Sequence, residues 1–129
     1  MFLEQVVTNP DPYAPFLLSQ AIRANGLVFV SGQAAIGDDG EIVGGGFDRQ
    51  AEQAFRNLDR ALKAAGSGLD KIVKVTIFLR SMENFSKVVE LRRKWFSAPY
   101  PADSIIEVSS LYSPEALIEI EAIALDKDR

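Results

Sequence analysis

The sequence predicts an α+β domain in which two helices cover one face of a mixed sheet. Residues 49–65, and a later segment that starts at Ser81, carry apolar side chains at helical spacing. Other segments are short, apolar and rich in β-branched residues, which is typical of strands. Strands and helices follow one another along the chain, so the two must pack as layers. At 129 residues and 47% hydrophobic composition, the chain fits a single domain over residues 1–129.

The first predicted element is a β-hairpin over residues 16–32. Two apolar or alternating runs flank Asn25-Gly26, a dipeptide that tolerates the positive φ angles of a tight turn. A second turn is predicted at 37–41, "GDDGE", followed by a short strand or extended edge at 41–43.

The next element is a helix over about residues 49–65. Asp48 is a candidate N-cap, and Gly66 is placed to end the helix. Its apolar stripe consists of Ala51, Ala54, Phe55, Leu58, Ala61, Leu62 and Ala65. Residues 71–79, "KIVKVTIFL", follow as a strand that we expect to be buried on both faces.

The second helix is capped by Ser81 and must end before Pro99, because the residue before a proline is disfavoured in helical conformation. Two further strands are predicted at 104–108 and 116–125. The last of these places Glu119 and Glu121 on one face, which indicates a wet or paired face. The chain contains nothing to cover the face of the sheet opposite the helices, so a symmetric oligomer is expected to cover it.

Composition excludes several classes of chemistry. The chain has no cysteine and no histidine, which rules out disulfides, Cys nucleophiles, Ser-His-Asp triads and Cys/His zinc sites. Its net charge of −4 disfavours nucleic acid as a partner, and the cluster Arg92-Arg93-Lys94 is better explained as a solvated helix face. The sequence contains neither an apolar run of bilayer length nor a secretory leader, so we expect no membrane partner and a cytoplasmic location.

Three segments, in this order and spacing, resemble the RidA/YjgF family, whose members are also labelled L-PSP endoribonucleases or translation inhibitors. These are "GLVFVSGQ" (26–33), "AAGSGLDKIVKVTIFLRSMENF" (64–85) and "EIEAIA" (119–124). The resemblance covers about residues 16–125. It implies a chorismate-mutase-like homotrimer with helices outside, sheets at the centre and small ligands in clefts between subunits. It also implies hydrolysis of reactive imines and enamines to ammonia and a keto acid. We expect no cofactor and no metal.

The resemblance departs from the family pattern at two positions. The stretch "YPADSIIEV" carries Asp103 where the deaminating members of the family have an arginine that grips a substrate carboxylate. Leu18 stands where the family has a pocket tyrosine, and Tyr13 or Tyr112 could replace it. The catalytic candidates are Asp103 and Glu119, the latter matching the family's pocket glutamate. The predicted substrate-binding residues are Leu18, Ser31, Gly32, Gln33, Asn84, Phe85, Ser104 and Ile105.

An aspartate at position 103 would change which substrates the cleft accepts. Two like charges about 4 Å apart at an effective dielectric near 20 repel by about 4 kcal/mol, so a 2-imino acid would be disfavoured. If Asp103 and Glu119 shared one cleft, they would titrate as a pair and could activate water and protonate a leaving amine. This reasoning predicts a neutral or cationic imine, iminium or enamine without an adjacent carboxylate.

Other interpretations of these residues remain open at this level. Asp103 could cap backbone N–H groups or pair with a lysine across an interface, and Glu119 could line a wet channel of the trimer. The chain could also be a non-catalytic metabolite-binding trimer. An endoribonuclease or translation inhibitor is the least favoured, because RNA cleavage requires cationic stabilisation that the composition does not supply. The sequence favours an enzyme of altered specificity narrowly over the binding protein.

Overall fold

The computed structural model describes residues 3–126 and contains one six-stranded mixed sheet with two helices on one face. Along the sheet, the strand order is β1-β2-β3-β6-β4-β5. The elements are β1 (Glu4–Val6), β2 (Ala21–Ala24), β3 (Leu27–Ala34), α1 (Phe47–Ala64), β4 (Ile72–Leu79), α2 (Phe85–Trp95), β5 (Ala102–Glu107) and β6 (Ile118–Leu125).

The hairpin predicted over 16–32 is confirmed in part as the antiparallel pair β2–β3, since residues 16–20 precede β2 and are not strand. Asn25 and Gly26 form its turn with φ angles of 53° and 82°, the left-handed conformation that this dipeptide tolerates. The strand expected at 41–43 is reduced to a single bridge between Ile36 and Ile42. Strand β1, at one edge of the sheet, was not predicted.

Helix α1 confirms the predicted apolar stripe, but not the predicted cap. Gly46 is the N-cap, and Asp48 lies in the first turn, where its carboxylate is 3.1 Å from Lys87 Nζ of α2. Asp48 still favours this end of the helix, because a negative charge in the first turn complements the helix dipole. At the other end, Gly66 has a φ of 79°, and the amides of Gly66 and Ser67 bond to carbonyls in the last turn.

The main hydrophobic core lies between the helices and one face of the sheet. All seven residues of the predicted α1 stripe are fully buried. Phe55 stacks on Trp95 of α2 with ring centroids 5.5 Å apart and meets Phe96, just after α2, edge to face at 5.6 Å, so aromatic contacts join the two helices. Ser81 accepts a hydrogen bond from the amide of Glu83 and caps the short 3₁₀ turn (Met82–Asn84) that leads into α2.

Strand β4 is central in the sheet, antiparallel to β6 and parallel to β5. Its helix-side residues Val75, Ile77 and Leu79 are fully buried, whereas Thr76 and Phe78 on the opposite face are only partly covered. The expectation that this strand is buried on both faces is therefore wrong for the single chain. The face away from the helices, here named the open face, is the one that carries Glu119 and Glu121.

No helix within residues 3–126 is long and apolar enough to cross a membrane.

Candidate functional site

A cavity of about 260 Å³ lies beside the carboxylate of Glu119 and is the candidate site. It forms where β3, β6 and the segment before β2 meet. Besides Glu119, its lining is mostly aromatic and aliphatic, the usual character of a small-molecule pocket. The lining residues are Tyr13, Phe16, Leu18, Gly32, Ile36, Tyr112 and Glu119.

Glu119 occupies a confined position on β6, opposite Phe78 of β4 and Ala34 of β3. Its side chain lies directly over Gly32, where a β-carbon would fall 2.7 Å from the Glu119 carboxyl carbon. Burial, and secondarily the charge of Glu121, raises the pKa of Glu119 above its ordinary value. A carboxyl with a raised pKa can exchange protons nearer neutral pH, which suits acid–base work.

Tyr13 forms the second polar group of the cavity. Its hydroxyl donates a hydrogen bond to the carbonyl of Gly32, and its ring is almost fully buried against Ala34, Ile36 and Ile42. Burial, and secondarily the charge of Glu119, raises the pKa of Tyr13, while a backbone hydrogen bond from Ala34 acts in the opposite direction. Tyr13 therefore stays protonated at neutral pH and serves as a donor.

The mouth of the cavity is apolar. Phe16 and Tyr112 meet edge to face with ring centroids 6.4 Å apart, and Leu18 lies half exposed beside them. Leu17, between Phe16 and Leu18, adopts a φ of 62° and projects into solvent. Among residues 3–126, no lysine or arginine lines this cavity. A bound anion would find no counter-charge here from the described chain.

Two arginines near strand ends, Arg23 and Arg80, make their contacts away from the cavity. Arg23 bonds to Glu4, Asp126 and the carbonyl of Ala65. Arg80 donates to the carbonyl of Pro114 at 3.3 Å. Neither lines the cavity.

Within the single chain, Asp103 and Glu119 do not share a cleft, and a cleft between subunits that both line stays a prediction. Asp103 is in register with Val75, so its side chain lies on the helix side of the sheet, whereas Glu119 lies on the open face. Asp103 Oδ2 accepts a hydrogen bond from Arg92 Nε of α2 at 2.8 Å. The contact observed is an ion pair with an arginine of the same chain, whereas the sequence had left open a lysine across an interface.

The other predicted binding residues divide between the cavity and its surroundings. Leu18 and Gly32 line the cavity with Glu119. The Ser31 hydroxyl donates a hydrogen bond to the carbonyl of Ser19 at 2.6 Å, and the buried Gln33 side chain donates one to Gln20. Neither residue lines the cavity, but both flank Gly32 and stabilise the strand on which it lies.

Four predicted residues lie outside this cavity of the single chain. Asn84 and Phe85 are at the start of α2, with Phe85 partly exposed. Ser104 accepts a hydrogen bond from Lys74 Nζ at 2.8 Å on the open face, and Ile105 packs against the core on the helix side. Their predicted role in binding would need a neighbouring subunit.

Sequence reasoning missed Phe16 and Ile36 as lining residues. Phe16 ends a short 3₁₀ turn, Ala14–Phe16, that begins after Tyr13 with Pro15 in its first turn. This Tyr-Ala-Pro-Phe spacing is a turn signal, but it does not indicate which way the ring faces. Within residues 3–126, no group of three or more His, Cys, Asp or Glu side chains is arranged to hold a metal ion.

Fold and cavity together define an α+β domain with a single carboxylate in an apolar pocket suited to a small organic ligand. The family model described as Endoribonuclease L-PSP matches residues 7–126, so the chain belongs to this family, which is the RidA/YjgF family.

Two relatives illustrate the similarity in sequence. RutC family protein UK114 of Drosophila melanogaster is 42% identical over 115 residues, covering 88% of this chain and 81% of that protein. Reactive Intermediate Deaminase A, chloroplastic, of Arabidopsis thaliana is 42% identical over 122 residues, covering 94% of this chain and 65% of that protein.

Solved structures agree with the fold. Yeast Mmf1 superposes with a TM-score of 0.90 at 39% identity, covering 98% of this chain and 100% of that one. RidA from the Antarctic bacterium Psychrobacter sp. PAMC 21119 superposes with a TM-score of 0.86 at 32% identity, covering 95% and 99%. These matches confirm the predicted α+β architecture.

Proposed function

We propose that this protein hydrolyses imines or enamines that carry no carboxylate next to the reacting carbon, with Glu119 as the acid–base group. The observation that carries the proposal is the position of Glu119, a half-buried carboxylate with a raised pKa at an apolar cavity. The name of the Arabidopsis relative, a reactive intermediate deaminase, supports this class of reaction.

The reaction would use one carboxylate in three steps. Glu119 accepts a proton from a water molecule as the water oxygen bonds to the carbon of the protonated imine, giving a neutral carbinolamine. Protonated Glu119 then gives this proton to the nitrogen. The carbon–nitrogen bond breaks as the carbinolamine hydroxyl loses its proton to Glu119, which releases ammonia and the carbonyl product. Glu119 passes that last proton to the ammonia, so protonated imine and water become carbonyl compound and ammonium, and Glu119 ends in its starting state.

The lining of the cavity supports the proposed substrate preference. Phe16, Leu18 and Tyr112 offer apolar surface to a hydrocarbon substituent, and no lysine or arginine of the described chain lines the cavity. An anionic substrate would meet only Glu119, which repels it. This argument for a carboxylate-free substrate does not depend on Asp103.

We further propose that the functional unit is a homotrimer in which the open face is covered by neighbouring subunits. Phe29 and Ile106 leave large apolar side chains partly exposed on that face. Such a surface favours burial in an assembly. Light scattering should then give three times the mass of the chain, and a monomeric mass would contradict the trimer. The cytoplasmic location stays a prediction, since relatives are named mitochondrial and chloroplastic.

The test of function compares two sources of imine. A flavin amine oxidase generates imines without a carboxylate, and an amino-acid oxidase generates 2-imino acids. The wild-type protein should accelerate ammonia release from the first source, and Glu119→Gln should lose this acceleration by about 10²–10⁴-fold. Glu90→Gln, on the exposed surface of α2, is the matched control and should keep it.

Two outcomes would contradict the proposal. Acceleration of 2-imino acid hydrolysis alone would show that the cavity accepts carboxylates. No acceleration from either source, together with saturable binding of an imine analogue, would identify the non-catalytic binding protein instead.

A further inference from the structure

The backbone of Gly32 packs directly against the Glu119 carboxylate. A β-carbon at position 32 would fall 2.7 Å from the carboxyl carbon and 3.0 Å from Cγ of Glu119. Such contacts are far shorter than ordinary carbon–carbon contacts, so the backbone of Gly32 and the glutamate side chain pack with no space between them. The position of the carboxylate therefore depends on where the Gly32 peptide is held.

The β-ladder is irregular at that peptide. The register between β3 and β6 shifts between Val30 and Gln33, so Ser31 and Gly32 form a bulge in which two residues of β3 face one residue of β6. Bulges next to active sites commonly re-aim side chains. Ser31 is tied to the chain before β2 through its amide to Gln20 and its hydroxyl to Ser19.

On the Gly32 side of the bulge, the Tyr13 hydroxyl donates a hydrogen bond to the Gly32 carbonyl. Tyr13 is well placed to act as a fixed point. Its ring is 6% exposed, and its amide donates to Asp11 Oδ1 at 3.0 Å. A buried ring with an anchored backbone loses little entropy in holding one hydrogen bond.

We propose that Tyr13 is a positioning residue: its hydroxyl holds the Gly32 peptide against Glu119 and thereby fixes the carboxylate at the cavity. This inference builds on the proposed function, because positioning matters only if Glu119 acts on a ligand. Tyr13 does not itself transfer the proton in this scheme. Its donor is committed to the Gly32 carbonyl.

The Tyr13→Phe variant removes the hydroxyl and keeps the buried ring. The Gly32 carbonyl then loses its side-chain donor, the bulge loosens, and water reaches Glu119. Misplacing a catalytic group by about 1 Å can cost 10²-fold, so kcat should fall about 10- to 100-fold while KM changes little. The pKa of Glu119 should fall toward its ordinary value as its surroundings become wetter.

The decisive measurement is an NMR titration of ¹³C-carboxyl-labelled glutamate, with Glu119 assigned from the spectrum of Glu119→Gln. It requires no substrate. In Tyr13→Phe the pKa of Glu119 should move down, whereas Tyr100→Phe, an exposed tyrosine outside the cavity, should titrate like wild type. If Tyr13 served only the stability of the fold, Tyr13→Phe would lower the melting temperature and leave both the Glu119 titration and kcat unchanged.

The outcomes separate this inference from the proposed function. A Glu119 titration identical in wild type and Tyr13→Phe overturns the inference, whether or not the protein turns over imines. A shifted titration with no turnover by wild type overturns the proposed function and leaves the positioning role supported. Should Tyr13→Phe not fold, Asp11→Ala, which frees the Tyr13 amide, is expected to shift the titration in the same direction by less, and no shift would overturn the inference.

Discussion

Arg92 donates a hydrogen bond from Nε to Oδ2 of Asp103 over 2.8 Å and so joins helix α2 to strand β5. Only 15% of the Asp103 side chain and 26% of the Arg92 side chain are exposed. The pair lies on the helix side of the sheet, while Glu119 lies on the open face. The two carboxylates therefore have separate surroundings within the chain.

The Asp103→Asn substitution should destabilise the protein without removing imine hydrolysis. The change leaves Arg92 without its charged partner in a mostly buried position. Hydrogen bonds to charged groups contribute about 1.5–3 kcal/mol, so the free energy of unfolding in urea should fall by about that amount. Asp48→Asn, which breaks an exposed pair with Lys87, should change it by less than about 1 kcal/mol. If Asp103→Asn lost imine hydrolysis while its free energy of unfolding stayed unchanged, Asp103 would have to act at the site, which would contradict this prediction.

The Glu119→Gln substitution should stabilise the protein at neutral pH. The pKa of Glu119 is raised in the folded state, so between the unfolded and folded pKa values the folded state binds more protons and stability falls as pH rises. The glutamate thus opposes folding above its folded pKa and has no such effect below about pH 4. Melting temperatures of the two proteins should differ at pH 7 and converge near pH 4. A melting temperature at pH 7 that is lower for Glu119→Gln than for the wild type would contradict the burial of Glu119.

The Leu18→Arg substitution should admit carboxylate-bearing imines. Leu18 lines the mouth of the cavity, where a guanidinium could form charge-assisted hydrogen bonds to a substrate carboxylate. The kcat/KM for 2-imino acids should rise about 10-fold or more, equivalent to about 1.4 kcal/mol. Leu17→Arg, one position away but 93% exposed and outside the lining, is the control and should produce little gain. An equal gain in both variants would indicate a general effect of charge.

The Gly32→Ala substitution should displace Glu119 and reduce activity. The alanine β-carbon would overlap the carboxyl group of Glu119. Either the Glu119 side chain or the bulge at Ser31 and Gly32 must therefore move. We expect kcat/KM to fall about 10²-fold, as for other small misplacements of a catalytic group. Gly44→Ala meets no atom within 4 Å and should remain fully active. A Gly32→Ala enzyme with normal activity would show that the position of Glu119 is not critical.

The local elements of this fold were predictable because their signals act over a few residues. Asn25-Gly26 requires a left-handed turn, and the spacing of Phe55 and Leu62 places both on one helix face. Strand β1 was missed because its three residues form a strand only by pairing with β2, a contact that local sequence does not encode. Tertiary pairing also explains why 41–43 is not a full strand, because Ile42 pairs only through one bridge, to Ile36.

The candidate site was predicted in part. Glu119, Gly32 and Leu18 were named from the sequence and meet at one cavity. Asp103 lies outside this cavity of the single chain, and its place in a cleft between subunits stays a prediction, because sequence position does not reveal which face of a sheet a side chain takes. That depends on register, and the pairing of β5 with β4 places Asp103 beside Val75, on the side of the helices.

By itself, the sequence determined which chemistry is excluded: without cysteine or histidine, any reaction must use carboxylates, lysine, arginine, tyrosine, hydroxyls, backbone groups or water. It also determined the helices and the hairpin, since hydrophobic spacing and turn residues are local properties. Tertiary structure alone decided which carboxylate faces the cavity, because strand register sets the faces of Asp103 and Glu119. It also decided that Tyr13 meets Gly32, 19 residues along the chain, because only packing brings those two groups together.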